Sequence, residues 1–61
     1  MLDGDLAEGH LRCWNNSEDE DFGKVFLILR WRHGVVKILQ EGAVTEWHEY
    51  TVTEMSEPLN V

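Results

Sequence analysis

The sequence predicts a mainly β fold, a small antiparallel meander of three to four strands. Three features support this: β-favouring apolar runs of strand length, glycine-containing breaks between them, and alternation of apolar with polar residues. The runs lie between residues 24 and 53, and the breaks fall at His33-Gly34 and Glu41-Gly42. Glycine adopts the positive φ of a tight hairpin at little cost, so we expect a two-residue turn at each break.

Two-residue turns define which residues face each other. The expected pairs are Trp31–Val36, Leu29–Ile38, Arg30–Lys37, Val36–Trp47 and Lys37–Glu46. Because side chains alternate along a strand, this register predicts one face that is apolar nearly throughout. That face holds Val25, Leu27, Leu29, Trp31, Val36, Ile38, Ala43, Thr45 and Trp47. The opposite face is mixed, with Phe26, Ile28, Val35, Leu39 and Val44 followed by charged residues.

The chain reads as a single domain with three parts. Residues 1–23 form an acidic lead-in and loop, in which His10–Trp14 alternates like a short fourth strand. Residues 24–54 form the β-meander, and residues 55–61 form a tail. The segment 43–54 is open to two interpretations. Its Thr-Val-Thr run favours a strand, whereas Val44, Trp47 and Thr51 also fit helical spacing.

The small size of the chain predicts self-association. A domain of 61 residues buries a limited core, and such domains commonly gain stability from disulfides, metals or oligomerisation. Cys13 is the sole cysteine, which excludes an internal disulfide. Both predicted faces carry apolar residues, so we expect a homodimer formed through the apolar face or a strand edge. The expected interface residues are Leu27, Leu29, Trp31, Ile38 and Trp47.

The charge of the chain is concentrated in its first third. The formal net charge is −7, and residues 1–21 hold seven of the twelve acids but one of the five Lys and Arg residues. Direct contact with nucleic acid is disfavoured, since phosphates require a basic surface. A protein partner with a basic surface is the expected ligand, because an acidic patch would accelerate encounter with it.

These features predict a non-enzymatic, acidic protein-binding module. In its sharpest form it is an inhibitor that imitates nucleic-acid phosphates, as small viral or mobile-element proteins can be. Carboxylates two residues apart on an extended backbone lie about 6.6 Å apart, comparable with phosphate spacing. The expected partner-binding residues are Asp3, Asp5, Glu8, Trp14, Glu18, Asp19, Glu20 and Asp21, with Trp14 as the aromatic anchor.

Two other functions are compatible with the sequence. The chain could build a structural homo-oligomer in which acidity serves solubility, or it could be a zinc-stabilised module using His10 and Cys13 with His33 and His48. No phosphate-binding loop or nucleophile elbow is present, so we expect neither catalysis nor a cofactor. The lone cysteine and the absence of an export signal or apolar span predict a cytoplasmic protein.

Overall fold

The fold is one open antiparallel sheet crossed by a short helix. The computed structural model of the chain describes residues 6–59. Its elements are β1 (Leu11–Trp14), β2 (Val25–Arg32), β3 (Val35–Gln40), β4 (Ala43–His48), α1 (Glu49–Met55) and β5 (Ser56–Pro58). The strand order is β4-β3-β2-β1-β5, and every pairing is antiparallel. The predicted mainly β fold and its meander are confirmed. The short fourth strand predicted at His10–Trp14 is present as β1.

Both predicted hairpin turns are confirmed. His33 and Gly34 have φ values of 52° and 77°, and Glu41 and Gly42 have values of 51° and 81°. Positive φ at both central residues gives the type I′ geometry, whose twist matches that of the flanking strands. Four of the five predicted pairs follow from these turns: Trp31–Val36, Arg30–Lys37, Val36–Trp47 and Lys37–Glu46.

The fifth predicted pair is wrong because β2 contains a bulge. Ile28, rather than Leu29, lies opposite Ile38, and the register shifts between Ile28 and Arg30. Leu29 is therefore the extra residue of a β-bulge, which reverses the alternation of side chains along the strand. Phe26 and Ile28 consequently join the face of Val36 and Ile38, whereas the prediction placed them on the mixed face.

Residues 49–55 form a helix instead of continuing the third strand of the meander. Backbone φ and ψ of His48 are −65° and 140°, and its Nδ1 accepts a hydrogen bond from the Tyr50 amide at 3.0 Å. This imidazole replaces the usual Ser, Thr, Asn or Asp cap, so the sequence carried no standard start signal. Since β4 and β5 lie at opposite edges of the sheet, the chain between them must cross one face, and α1 makes that crossing. The predicted tail then adds β5 beside β1.

The core lies between α1 and the sheet face that it crosses, which we call the helix-side face. Its buried residues are Leu6, Trp14, Phe26, Ile28, Val36, Ile38 and Val52. Leu6 is 1% exposed, so this side chain is docked into the core even though residues 6–10 form no strand or helix. We call the opposite face the open face, because in residues 6–59 no helix crosses it.

A buried polar network joins three elements. The Arg12 Nε donates to Ser56 Oγ at 2.7 Å, and its Nη2 donates to the Ser56 carbonyl at 2.9 Å. Ser56 Oγ donates in turn to the carbonyl of Val52 in α1. Burial lowers the pKa of the Arg12 guanidinium, and these hydrogen bonds offset part of the cost of removing it from water. The network connects β1, β5 and the C-terminus of α1.

Candidate functional site

The acidic end of the molecule comprises Glu18, Asp19, Glu20 and Asp21 in the β1–β2 loop, together with Glu41 at the β3–β4 turn. The loop is held by its own side chains: Asn16 Oδ1 accepts from the Glu18 amide at 3.1 Å, and Asp19 Oδ1 accepts from the Asp21 amide at 2.9 Å. The loop backbone is turned, not extended, in this region. The predicted phosphate-like spacing along extended backbone is therefore absent, and the concentrated negative charge remains.

Lys24 links the two parts of the acidic end. Its Nζ lies 3.3 Å from Asp21 Oδ1 and 3.4 Å from Glu41 Oε1. The hydrogen bond to Asp21 makes the largest contribution to the raised pKa of Lys24, and the hydrogen bond to Glu41 makes the next largest. Within residues 6–59 these are the ion pairs present, so Glu18, Asp19 and Glu20 have no cationic partner there. Three carboxylates of the loop thus face solvent uncompensated.

A pocket and an exposed ring accompany these carboxylates. Asp21, Glu41 and Trp47 line a cavity of about 220 Å³, whose remaining lining comes from Gln40, Ala43 and Thr45. Trp47 is 38% exposed, and Phe22, next to Asp21, is 56% exposed. Phe22 was not among the predicted partner-binding residues, although an aromatic residue inside a polar, turn-rich loop is a signal of a binding residue.

Two of the predicted partner-binding residues, Trp14 and Glu8, make contacts within the fold. Trp14 is 4% exposed, stacks on Phe26 with ring centroids 4.4 Å apart, and donates from Nε1 to Gln40 Oε1 at 2.6 Å. Glu8 Oε2 accepts from the Trp31 amide at 3.0 Å, which satisfies a backbone group of β2 beyond the end of β1. Asp3 and Asp5 lie outside the described residues.

The open face carries an apolar row that runs across four strands. Leu11 lies opposite Leu27, Leu27 opposite Leu39, and Leu39 opposite Val44. We call these four residues the leucine row. Leu11 and Val44, at its ends, are 44% and 56% exposed, and Leu27 and Leu39 are half-buried. Next to the row, towards the acidic end, lie Val25 and Cys13, which face each other.

Beyond the leucine row, towards the β2–β3 turn, the open face is basic. Arg30 and Lys37 face each other, and Arg32 lies one step further along β2. These three residues line a cavity of about 340 Å³ together with His33, Val35 and Glu46. The bulge at Leu29 is responsible, because without it Arg30 and Arg32 would share the face of Phe26 and Ile28. Glu46 lies opposite Lys37, but in the described part of the chain it forms no ion pair with it. We call Arg30, Arg32 and Lys37 the basic rows.

The residues predicted to form an oligomer interface do not share one surface. Leu27 belongs to the open face and Leu29 is the bulge residue, whereas Ile38 is 1% exposed in the core. Trp31 and Trp47 flank Val36 on the helix-side face, as the register predicted, and Trp31 Nε1 donates to Glu49 of α1 at 2.6 Å. Because of the bulge, Leu27 lies on the open face while Trp31 and Trp47 lie on the helix-side face. The predicted interface residues are therefore divided between the two faces.

Among residues 6–59, no group of three or more His, Cys, Asp or Glu side chains could hold a metal ion. No helix in that part of the chain is long and apolar enough to cross a membrane. Comparison of the chain with protein-family models, curated proteins and solved structures finds no match.

Proposed function

We propose that this protein is a non-enzymatic binding module whose acidic end occupies a basic site on another protein. The observation that carries the proposal is the combination, at one end of the sheet, of three uncompensated loop carboxylates, an exposed Phe22 and the pocket beside Trp47. Charged residues supply steering and orientation in protein interfaces, and aromatic residues supply most of the binding energy. The acidic end has both kinds of group.

The pocket suits a lysine or arginine side chain of the partner. Asp21 and Glu41 supply carboxylates at its rim, and a cation over the Trp47 ring would gain a cation–π interaction of roughly 0.5–1 kcal/mol. Lys24 now bridges these carboxylates at 3.3 and 3.4 Å, so an incoming cation would share them with it. Because exposed carboxylates are screened by salt, binding should weaken as ionic strength rises.

The nucleic-acid-binding groove of a protein is the strongest candidate for the basic site. Such grooves hold clustered cations that bind phosphates, and an acidic protein seated there would compete with nucleic acid. The charge of −7 suits this role. The activity would then be inhibition by occupancy, without a catalytic group.

The test is capture from cell lysate followed by competition. Immobilised wild-type protein is compared with a loop variant carrying Glu18→Gln, Asp19→Asn and Glu20→Gln. The matched control carries Glu46→Gln, Glu54→Gln and Glu57→Gln, which removes the same charge from exposed positions outside the loop. Captured proteins are eluted with a salt gradient or with duplex DNA.

We expect the wild type and the control to retain a nucleic-acid-binding protein that moderate salt or DNA releases, and the loop variant to lose it. Release of the partner by salt but not by DNA would support docking through the acidic end and would contradict competition with nucleic acid. Equal capture by the loop variant would contradict the proposal. Circular dichroism of all three proteins shows whether the substitutions leave the fold intact.

A further inference from the structure

The open face of the sheet combines an apolar row with an excess of positive charge at one end. The leucine row crosses β1, β2, β3 and β4, and on one side of it lie the three cations of the basic rows and one carboxylate, Glu46. On the other side the strands lead to the β1–β2 loop, where Glu18, Asp19 and Glu20 have no cationic partner among residues 6–59. The net charge is therefore positive towards the β2–β3 turn and negative at the opposite end of the strands.

We propose that a second copy of this chain packs on the open face, with its strands reversed about an axis along the leucine row. This arrangement places leucine row on leucine row. It also brings the basic rows of each copy over the acidic end of the other, twice in one symmetric dimer. The proposal concerns a different face from the Asp21–Glu41–Trp47 pocket and does not depend on partner binding.

The charge pattern selects this orientation over its alternative. Two sheets packed face to face can be related by an axis across the strands or by one along them. An axis along the strands would stack Arg30, Arg32 and Lys37 of one copy on the same residues of the other, and like charges at that separation repel. An axis across the strands pairs opposite charges, so the two orientations respond oppositely when Arg30 and Lys37 are neutralised.

The size of the face predicts a weak dimer. Five strands of three to eight residues, about 4.8 Å apart, cover roughly 430 Å², so a pair would bury on the order of 900 Å² in total. That area lies in the size range of weak or transient interfaces, so we expect association only at high protein concentration. Leu11 and Val44, which are 44% and 56% exposed, are the most exposed residues of the leucine row that the second copy would cover.

The apolar part of the interface is tested by sedimentation velocity of the purified chain from micromolar to millimolar concentration. Leu11→Gln with Val44→Gln changes the two exposed ends of the leucine row. Met55→Gln with Tyr50→Gln is the matched control, because these residues are 39% and 65% exposed on α1. We expect the dissociation constant to rise at least tenfold in the first variant and to stay unchanged in the control. A monomer at every concentration, or equal effects of both variants, would overturn the proposal.

The orientation is tested with charge variants in the same experiment. Arg30→Gln with Lys37→Gln should weaken the dimer at constant salt, because each copy loses cations that face the other copy's acidic loop. Strengthening by these substitutions would show that like charges face each other and would overturn the reversed arrangement. Arg30→Glu with Lys37→Glu should weaken it further, and adding Glu18→Lys and Glu20→Lys should restore it. Failure of this rescue would also contradict the proposed contact. The purified protein alone is measured, so the result is separate from that of the lysate capture.

Discussion

The two faces of the sheet carry similar apolar side chains and differ in what covers them. On β2, Phe26 and Ile28 are each 1% exposed on the helix-side face, whereas Val25 is 42% exposed on the open face. On the helix-side face, α1 and Leu6 pack on the sheet and complete a core. The open face carries the leucine row and the three cations of the basic rows. Hydrophobicity along a strand therefore does not identify its buried side. In this sheet, the covering element decides which apolar residues become core.

Deletion of Leu29 should break this difference most strongly. Without the extra residue, either Phe26 and Ile28 or Trp31 must leave the helix-side face, because alternation along β2 would become regular. Losing the burial of two large side chains costs roughly 3–6 kcal/mol, as much as the whole stability of a small domain. We expect loss of the cooperative thermal transition followed by circular dichroism. Leu29→Ala, which keeps the bulge, should still unfold cooperatively; identical behaviour of the two variants would contradict the role of the bulge.

Truncation of neighbours on β2 compares the faces directly. Phe26→Ala should destabilise by about 3–5 kcal/mol, because it opens a cavity in the core. Leu27→Ala, one residue further on the half-buried open face, should cost about 1 kcal/mol in dilute protein. Urea denaturation measures both values. Equal costs would show that the open face is as well packed as the helix-side face.

Removal of a contact from the covering helix should have a smaller effect. Val52 is fully buried and Met55 is 39% exposed on the same helix. Val52→Ala should reduce the free energy of unfolding by about 2 kcal/mol, from lost burial plus a small cavity. Met55→Ala serves as the control and should stay within about 0.5 kcal/mol of the wild type. If Val52→Ala were equally mild, α1 would not be what buries the helix-side face.

The exposed ion pairs of the acidic end should contribute least. Lys24→Gln removes both contacts, and solvent screening leaves little of their attraction. The pKa of Lys24 is raised in the folded protein, so its contribution is present below the unfolded pKa and disappears as pH rises through the folded pKa. Thermal melts of wild type and variant should differ slightly at neutral pH and converge in strong alkali. A difference that grows with pH would contradict this assignment.

Local features of the fold could be predicted from the sequence. The turns at His33-Gly34 and Glu41-Gly42 depend on positive φ, which glycine supplies, and the pairs beside each turn follow from its length. The acidic loop was also predictable, because consecutive acids and turn-forming residues exclude regular structure there. Its pocket was not, since Glu41 and Trp47 join Asp21 through pairing of distant strands.

Residues that are close together in the chain specify the strands of the meander, their turns and the uneven distribution of charge. The bulge at Leu29, the helix at residues 49–55 and the docking of Leu6 depend instead on packing between elements that are distant in the chain. Adjacent side chains of a strand point to opposite faces of the sheet. When both faces are apolar, this alternation does not identify the face that becomes the core. That choice belongs to the element that crosses the sheet, and its position depends on contacts between residues far apart in the chain.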